Sequence, residues 1–159
     1  MAEEIVVSEL DPTFKYEICT QPGGEHFKRC FSCGTCTATC PVSEIDPEYN
    51  PRKIIRQVLL GMRKEVLSSK VIWFCVRCYA CSAKCPQDVK FADIMGALRE
   101  LAVREGYASP EWAEEVERID QLTQRVRHRL VETLFEGKEP LEREKALLEN
   151  TLEIEAESA

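Results

Sequence analysis

The chain has 159 residues, nine cysteines and a formal net charge of −7, and this length suffices for one domain with its own hydrophobic core. Residues 1–106 carry 14 acidic and 14 basic side chains, whereas residues 107–159 carry 14 and 7, so the acidic excess lies in the last third. Nucleic-acid phosphates bind lysine and arginine, so an acidic chain without a basic stripe is unsuited to them. The composition therefore argues against a nucleic-acid partner.

Cysteine usage indicates the compartment. Eight of the nine cysteines fall in two short runs, which favours metal binding in a reducing compartment over a secreted disulfide scaffold. The N-terminal stretch MAEEIVVSELDP has no basic region followed by an apolar core, so it does not resemble a secretory signal. The longest apolar run, VIWFCV, is too short to cross a bilayer. We therefore expect a soluble, cytoplasmic protein without direct membrane insertion.

The first predicted helix lies between the cysteine runs. Residues 1–25 lack a clear period, and only EEIVVSEL carries a weak strand pattern. Asn50 is a suitable N-cap and Pro51 a suitable first helical residue. Apolar side chains then recur at helical spacing at Ile54, Ile55, Val58, Leu59, Met62, Val66 and Leu67. The pattern predicts one amphipathic helix from Pro51 to Leu67.

A second amphipathic helix follows the second cysteine run. The segment FADIMGALRELAVREG places a buried stripe at Phe91, Ile94, Met95, Leu98 and Leu101. Gly106 is a natural residue to follow the helix end. Each cysteine run is thus followed by a helix, with an offset of 45 residues from Cys30 to Cys75. The repeat indicates an internal duplication.

A third helix is predicted from Pro110, capped by Ser109, to about Glu136. Its stripe is narrow and typical of a helix that packs on one neighbour: Trp112, Val116, Ile119, Leu122, Val126, Leu130 and Leu134. Residues 139–159 are acidic and helix-prone, and we expect them either to fray or to order only on a partner. The predicted organisation is an N-terminal segment over 1–25, a cysteine-rich domain over 26–106 and a partner-docking helical extension over 107–159.

Both cysteine runs have the spacing CxxCxxCxxxCP, which is typical of proteins that bind 4Fe–4S clusters. Three cysteines at intervals of three residues allow a short loop to present three thiolates to one cluster. The fourth, directly before a proline, points away from that cluster and toward its neighbour. The spacing predicts two clusters with crossed ligand sets. The first set is Cys30, Cys33, Cys36 and Cys85, and the second is Cys75, Cys78, Cys81 and Cys40.

Other interpretations of these residues remain open. Zinc also binds four cysteines, although its sites usually join two separated CxxC pairs. Cys19 has no partner at ligand spacing and is interpreted as a small buried hydrophobe. His26 and His128 are interpreted as surface or packing residues, because the cysteines already complete both sites. No serine, histidine or carboxylate constellation suits bond-making chemistry, so we predict no catalytic residue in this chain.

The segments RCFSCGTCTATCPV, NPRKIIRQVLLG, VIWFCVRCYACSAKCPQDV and IMGALRELAVREG resemble the iron–sulfur C-subunit of CoB–CoM heterodisulfide reductase over residues 28–106. That resemblance implies a mainly α fold, an α-helical ferredoxin domain with two 4Fe–4S clusters and a C-terminal helical extension. No plant-type 2Fe–2S pattern precedes the first run, and no cysteine follows Cys85. These absences distinguish the chain from succinate dehydrogenase iron–sulfur subunits and from relatives with fused CCG domains.

The resemblance also implies partners and a role. The chain would pass single electrons between a flavin-containing partner, here named the flavin subunit, and a partner with CCG domains, the CCG subunit. In the family that the chain resembles, the latter reduces the disulfide of coenzyme M and coenzyme B. A hydrogenase or formate dehydrogenase would supply electrons indirectly, and flavin-based electron bifurcation would divide them. A related complex of sulfur metabolism, a stand-alone ferredoxin-like shuttle and a structural zinc adaptor are the alternatives.

Overall fold

A computed structural model describes residues 5–136, which fall into two compact units divided after Glu114. All regular structure in this range is helical, which confirms the mainly α fold. The α-helices are α1 (Phe14–Thr20), α2 (Thr35–Ala38), α3 (Pro41–Ile45), α4 (Pro51–Leu60), α5 (Arg63–Leu67), α6 (Ala80–Ala83), α7 (Phe91–Arg104) and α8 (Pro110–Phe135). Short 3₁₀ helices lie at Val7–Glu9, Phe27–Arg29 and Lys70–Trp73. The weak strand prediction for EEIVVSEL is wrong over residues 5–10, because a 3₁₀ turn forms there.

The core of the first unit is built mainly from α1, α4 and α7. All five residues of the stripe predicted on α7 are buried, and α4 contributes Ile54, Ile55 and Val58. Helix α1, which the sequence pattern did not predict, adds Phe14 and Ile18. Cys19, on the same helix, is partly buried and packs against this core, as expected for a small apolar side chain.

The predicted helix from Pro51 to Leu67 is interrupted at Gly61, which separates α4 from α5. Gly61 has a φ of +85°, and its N–H caps the end of α4 by bonding to the Val58 carbonyl at 3.0 Å. The Asp11 N–H donates to the Gly61 carbonyl at 2.8 Å, and a Cβ at Gly61 would lie 2.2 Å from the Asp11 carbonyl oxygen. The N-terminal segment therefore lies against this position, where only glycine fits.

Arg63, at the start of α5, forms ion pairs with three carboxylates. Its guanidinium lies 3.1 Å from Asp11 and 2.7 Å from Glu17, and it also binds Glu105. The side chain thereby connects the N-terminal segment, α1, α5 and the residue after α7. This ion-pair cluster positions the helices that frame the cysteine runs.

Helix α8 begins as predicted, because the Ser109 hydroxyl accepts the Trp112 N–H at 3.2 Å. Trp112 makes an edge contact with Trp73 at a ring-centroid distance of 6.5 Å. No described residue of α8 is buried, and Trp112 remains 55% exposed, so the predicted stripe is largely solvent-facing. Among the described residues, no helix has the length and apolar character to cross a membrane. The helix-prone segment predicted over 139–159 lies outside the described residues.

Candidate metal centres

The two cysteine runs, Cys30–Cys40 and Cys75–Cys85, share an unusual backbone. Ser32 and Arg77 lie 45 positions apart and have positive φ angles of 59° and 47°. Gly34 and Tyr79 repeat the relation with φ angles of 88° and 62°. In each run these turns are followed by a four-residue helix, α2 or α6, at the same offset. The duplication thus extends from the cysteine spacing to backbone conformations that most residues avoid.

Four cysteines from distant parts of the chain line a single cavity. Cys40 of the first run joins Cys75, Cys78 and Cys81 of the second in the lining of this cavity. The other lining residues are mostly apolar: Val42, Tyr49, Pro51, Val76, Arg77, Tyr79, Phe91 and Ala92. We call this arrangement the second site. Its donor set, four thiols facing a mainly apolar cavity, suits a thiolate-ligated iron–sulfur cluster.

Tyr49 provides the second site with a buried hydroxyl. The side chain is 1% exposed, and the hydroxyl lies near enough to the thiol of Cys75 to interact with it. Burial, followed by the negative charge and hydrogen bond of Cys75, raises the pKa of Tyr49. The phenol therefore stays protonated and can only donate to a thiolate at Cys75.

Two of the four thiols of the second site are buried, whereas Cys40 is partly buried and Cys78 is exposed. Cys75 and Cys81 are each 9% exposed. Desolvation raises the pKa of Cys81 to about 11, with the nearby charges of Cys75 and Cys78 acting in the same direction. Because iron binds the thiolate, ligation at this site must be accompanied by loss of a proton. Burial therefore disfavours the thiolate form of these cysteines unless a bound metal balances its negative charge.

Arg99 of α7 fastens the segment that leads into the second run. Its Nε donates to the Ile72 carbonyl at 3.0 Å, and its Nη2 donates to the carbonyls of Trp73 and Cys75 at 2.9 and 2.7 Å. The guanidinium also lies over the Trp73 ring at 5.6 Å. One side chain thus satisfies three neighbouring backbone acceptors and fixes the position of Cys75.

The first run forms a more open site, which we call the first site. Cys33 is exposed, and Cys30 and Cys36 are partly buried. The Thr35 hydroxyl lies 3.3 Å from the Cys33 sulfur, and bonds from Thr35 lower the pKa of the Cys33 thiol. Burial raises the pKa of Cys36, and the charges of Cys30 and Cys33 add to it. The three thiols are therefore close enough to influence one another electrostatically.

Helix α4 is joined to the first run through Thr37. The Thr37 hydroxyl donates to the Asn50 side-chain oxygen at 3.0 Å and accepts the Arg52 N–H at 3.1 Å. The same Asn50 oxygen accepts the Lys53 N–H at 3.0 Å, which confirms the predicted N-cap. The helix start is thus locked onto α2, beside the first three thiols.

Cys85, at the end of the second run, is linked to the beginning of the first. Its sulfur accepts the Val89 N–H at 3.3 Å. Three residues later, Asp88 pairs with His26 Nδ1 at 2.9 Å, and His26 lies four residues before Cys30. His26 is therefore a surface residue with a specific contact, which brings the end of the second run to the start of the first. His128 lies on α8, 3.4 Å from Glu132.

The structure brings several predicted ligands together. Cys40 lies with Cys75, Cys78 and Cys81, while Cys30, Cys33 and Cys36 lie together. Among residues 5–136, no three His, Cys, Asp or Glu side chains converge tightly enough to hold a single metal ion. The thiols of the second site instead surround a cavity. The crossed ligand sets stay a prediction, and the shared cavity supports the half that involves Cys40.

Three residues that serve these sites were not identified from the sequence: Tyr49, Arg52 and Arg99. Tyr49 and Arg99 act on a run that is 24 or more residues away along the chain, so no local pattern identifies them. Arg52 lies on the polar face of α4, which the apolar pattern treats as solvent-facing. Its positive charge helps to lower the pKa of Cys33, and it lies where the αL turn at Gly34 leaves room.

Proteins similar to this chain also indicate that the cysteines bind iron–sulfur clusters. Residues 26–89 match a family described as a 4Fe–4S dicluster domain. The C-subunit of the H₂:CoB–CoM heterodisulfide,ferredoxin reductase of Methanothermobacter thermautotrophicus is 39% identical over 101 residues, covering 64% of this chain and 54% of that protein. The C2-subunit of the H₂/formate:CoB–CoM heterodisulfide,ferredoxin reductase of Methanococcus maripaludis is 48% identical over 79 residues, covering 50% and 42%.

A third relative, the C-subunit of the ferredoxin:CoB–CoM heterodisulfide reductase of Methanosarcina acetivorans, is 42% identical over 97 residues, covering 61% of this chain and 38% of that protein. The chain spans about half the length of the curated relatives it matches, or less.

Proposed function

We propose that this chain, a homologue of the heterodisulfide reductase C-subunit whose residues 26–89 form a 4Fe–4S dicluster domain, is the electron-transfer subunit of a heterodisulfide reductase-type complex. It would relay single electrons between the flavin subunit of that complex and the disulfide-reducing CCG subunit. The observation that carries this proposal is the second site, where Cys40 meets the three leading cysteines of the second run. Because each run would contribute one ligand to the other run's site, the two sites would be held close together, as a relay requires.

The proposed cofactors are two 4Fe–4S clusters. Cys30, Cys33, Cys36 and Cys85 would hold one, and Cys75, Cys78, Cys81 and Cys40 would hold the other. When bound, such clusters supply one-electron chemistry at potentials set by hydrogen bonds, charge and solvent exposure. No residue of this chain makes or breaks a substrate bond in this proposal, so disulfide reduction belongs to a partner.

The chain's own residues would set the conditions at each site. Tyr49 would donate a hydrogen bond to the Cys75 sulfur, and Phe91, which lines the second site, would limit the access of water. At the first site, Thr35 bonds to Cys33 and the Arg52 charge acts on the same thiol. Each of these polar contacts stabilises negative charge at a ligand sulfur, which favours the reduced form.

The partner assignment rests on the homologues and on α8. Several apolar side chains of α8 are exposed, including Ile119, Leu122 and Leu134, and exposed apolar stripes of this kind commonly mark interaction sites. We propose that residues 107–159 dock onto a partner protein of the complex. Deleting residues 138–159 should weaken assembly with the flavin and CCG subunits while both clusters are retained, and unchanged assembly would remove that role.

Anaerobic metal analysis tests the proposal as a whole. The full chain should bind about eight iron and eight acid-labile sulfide per molecule, the content of two 4Fe–4S clusters. It should also accept electrons from the reduced flavin subunit, yet show no disulfide reductase activity alone. Zinc without iron or sulfide would contradict the proposal, as would a chain that exchanges electrons with neither partner.

A further inference from the structure

A group of cations surrounds an open depression beside the first site. Arg52, Lys53 and Arg56 of α4 line it together with Ser32 and Asn50, and no carboxylate contributes to its lining. All three cations have solvent-facing side chains, and none forms an ion pair within residues 5–136. Residues 1–106 have no net charge, so this concentration is a local feature. We call Arg52, Lys53 and Arg56 the basic patch.

The basic patch lies against the first site. A Cβ at Gly34 would lie 3.6 Å from the Arg52 guanidinium, and the Arg52 charge reaches the exposed thiol of Cys33. Phe31, next to Ser32 in the chain, is 61% exposed. Cationic side chains, an exposed aromatic ring and a ligand thiol at the surface thus lie side by side.

The corresponding region near the second run has a different charge. The depression that includes Arg77 and Lys90 is also lined by Glu25, Asp93 and Glu100. Exposed apolar side chains flank the thiol of Cys78, including Val76 and Tyr79. The surface beside the first site therefore carries only positive charge, whereas the surface near the second run carries charges of both signs.

From this asymmetry we infer that the basic patch is the docking surface for a redox partner protein whose own cofactor lies under an acidic surface. The inference rests on the proposed electron-transfer role of the first site. Complementary charge accelerates the encounter and orients it, and the exposed Phe31 ring provides the apolar contact that an interface core uses. The open depression and its exposed cations suit a protein surface better than a small anion, which is usually held by backbone N–H groups.

The test uses a charge-reversal variant that leaves Arg52 in place, so that the environment of Cys33 is preserved. Lys53→Glu/Arg56→Glu is compared with Lys64→Glu/Lys70→Glu, an equal charge change at exposed residues outside the basic patch. The full chain with its clusters reduces or oxidises two probes in stopped flow: flavodoxin, an acidic flavoprotein, and cytochrome c, a basic haem protein. The cluster spectra and potentials of all variants are measured alongside.

We expect the Lys53→Glu/Arg56→Glu variant to exchange electrons with flavodoxin about tenfold more slowly at low salt and with cytochrome c faster. The differences should vanish at about 1 M salt, where charges are screened within a few ångströms. The control variant should change either rate much less. Equal effects in both variants, or no effect in either, would overturn the inference. It would also be overturned if the basic patch bound phosphate saturably and this phosphate did not compete with either protein probe.

The same variants are then measured with the flavin and CCG subunits. Slower exchange with one of them identifies the acidic partner. If the patch controls exchange with flavodoxin while neither of these proteins exchanges electrons with the wild-type chain, the docking surface stands and the proposed function fails. If both exchange normally with every variant, the function stands and the docking surface is overturned.

Discussion

The two cysteine runs have the same backbone but different surroundings. Both place positive-φ residues at the same two positions, and both continue into a four-residue helix. Cys75 and Cys81 of the second run are buried, whereas Cys30 and Cys36 of the first are only partly buried. The backbone conformation of the runs is thus duplicated, while the burial of their first and third thiols is not.

This difference has an electrostatic consequence. At the first site, hydrogen bonds from Thr35 and the Arg52 charge lower the pKa of Cys33, so negative charge is stabilised at that thiol, although burial raises the pKa of Cys36. At the second site, burial raises the pKa of Cys81 to about 11, so negative charge is disfavoured. A cluster that gains an electron also gains negative charge, so hydrogen bonds and cations favour its reduced form and burial disfavours it. We therefore expect the first site to have the higher reduction potential.

Among the variants that separate the two runs, Arg99→Met should have the largest effect on stability. This change removes the donor for the carbonyls of Ile72, Trp73 and Cys75 while keeping an unbranched side chain. We expect a loss of about 3 kcal/mol in unfolding free energy, because partly buried acceptors lose charged hydrogen bonds. Anaerobic thermal unfolding followed by circular dichroism measures the loss.

The damage from Arg99→Met should be confined to one site. A chelator should remove the second site's cluster faster from this variant than from the wild type, and should remove the first site's cluster at an unchanged rate. Arg52→Met is the matched control, since it removes an arginine beside the first site. Equal lability of both clusters in Arg99→Met would mean that Arg99 supports the whole fold rather than the second run.

A smaller effect on stability is expected at the positive-φ position that is Gly34 in the first run and Tyr79 in the second. Gly34→Ala should destabilise the first site by about 1 kcal/mol, because the φ of 88° is strained for a residue with a Cβ. Tyr79→Gly should be nearly neutral, since the relief of a strained φ of 62° is offset by loss of the 3.1 Å hydrogen bond to Asp93. Thermal midpoints of the two variants provide the comparison, and a similar loss in both would show that strain is not what separates them.

The smallest effect is a shift in potential from Tyr49→Phe. Removing one hydrogen bond to the Cys75 sulfur should make the second site's potential more negative by about 40 mV, the one-electron equivalent of about 1 kcal/mol. Phenylalanine preserves the packing around this buried ring, so the folded structure should be retained. Tyr79→Phe, which alters an exposed hydroxyl, is the control in a potentiometric EPR titration. An unchanged potential would show that the Tyr49 hydroxyl does not act on the ligand.

Much of this arrangement could be predicted from local sequence. Periodic apolar residues predicted the helices that became α4, α7 and α8, and the caps at Asn50 and Ser109 were found from residue type alone. The spacing of the cysteines carried the prediction of crossed ligand sets. These signals are local, because they depend on residues within one or two turns of each other.

The remainder depends on contacts between distant residues. The helix interruption at Gly61 needs the Asp11 backbone, which lies fifty positions earlier in the chain. A glycine within a helical pattern was a weak signal of that break. Helix α1 carries Phe14 and Ile18 one turn apart, too short a pattern to stand out. The roles of Tyr49 and Arg99 follow from tertiary packing, for which a single sequence contains no signal.

The crossed ligand sets are tested most directly by matching EPR spectra across four variants. Cys33→Ala and Cys78→Ala identify the signals of the first and second sites, because each removes a central ligand of one run. Cys40→Ala should then give the spectrum of Cys78→Ala, and Cys85→Ala that of Cys33→Ala, with Cys19→Ala indistinguishable from the wild type. If Cys40→Ala instead matches Cys33→Ala, each run closes its own site and the two halves of the molecule do not exchange ligands.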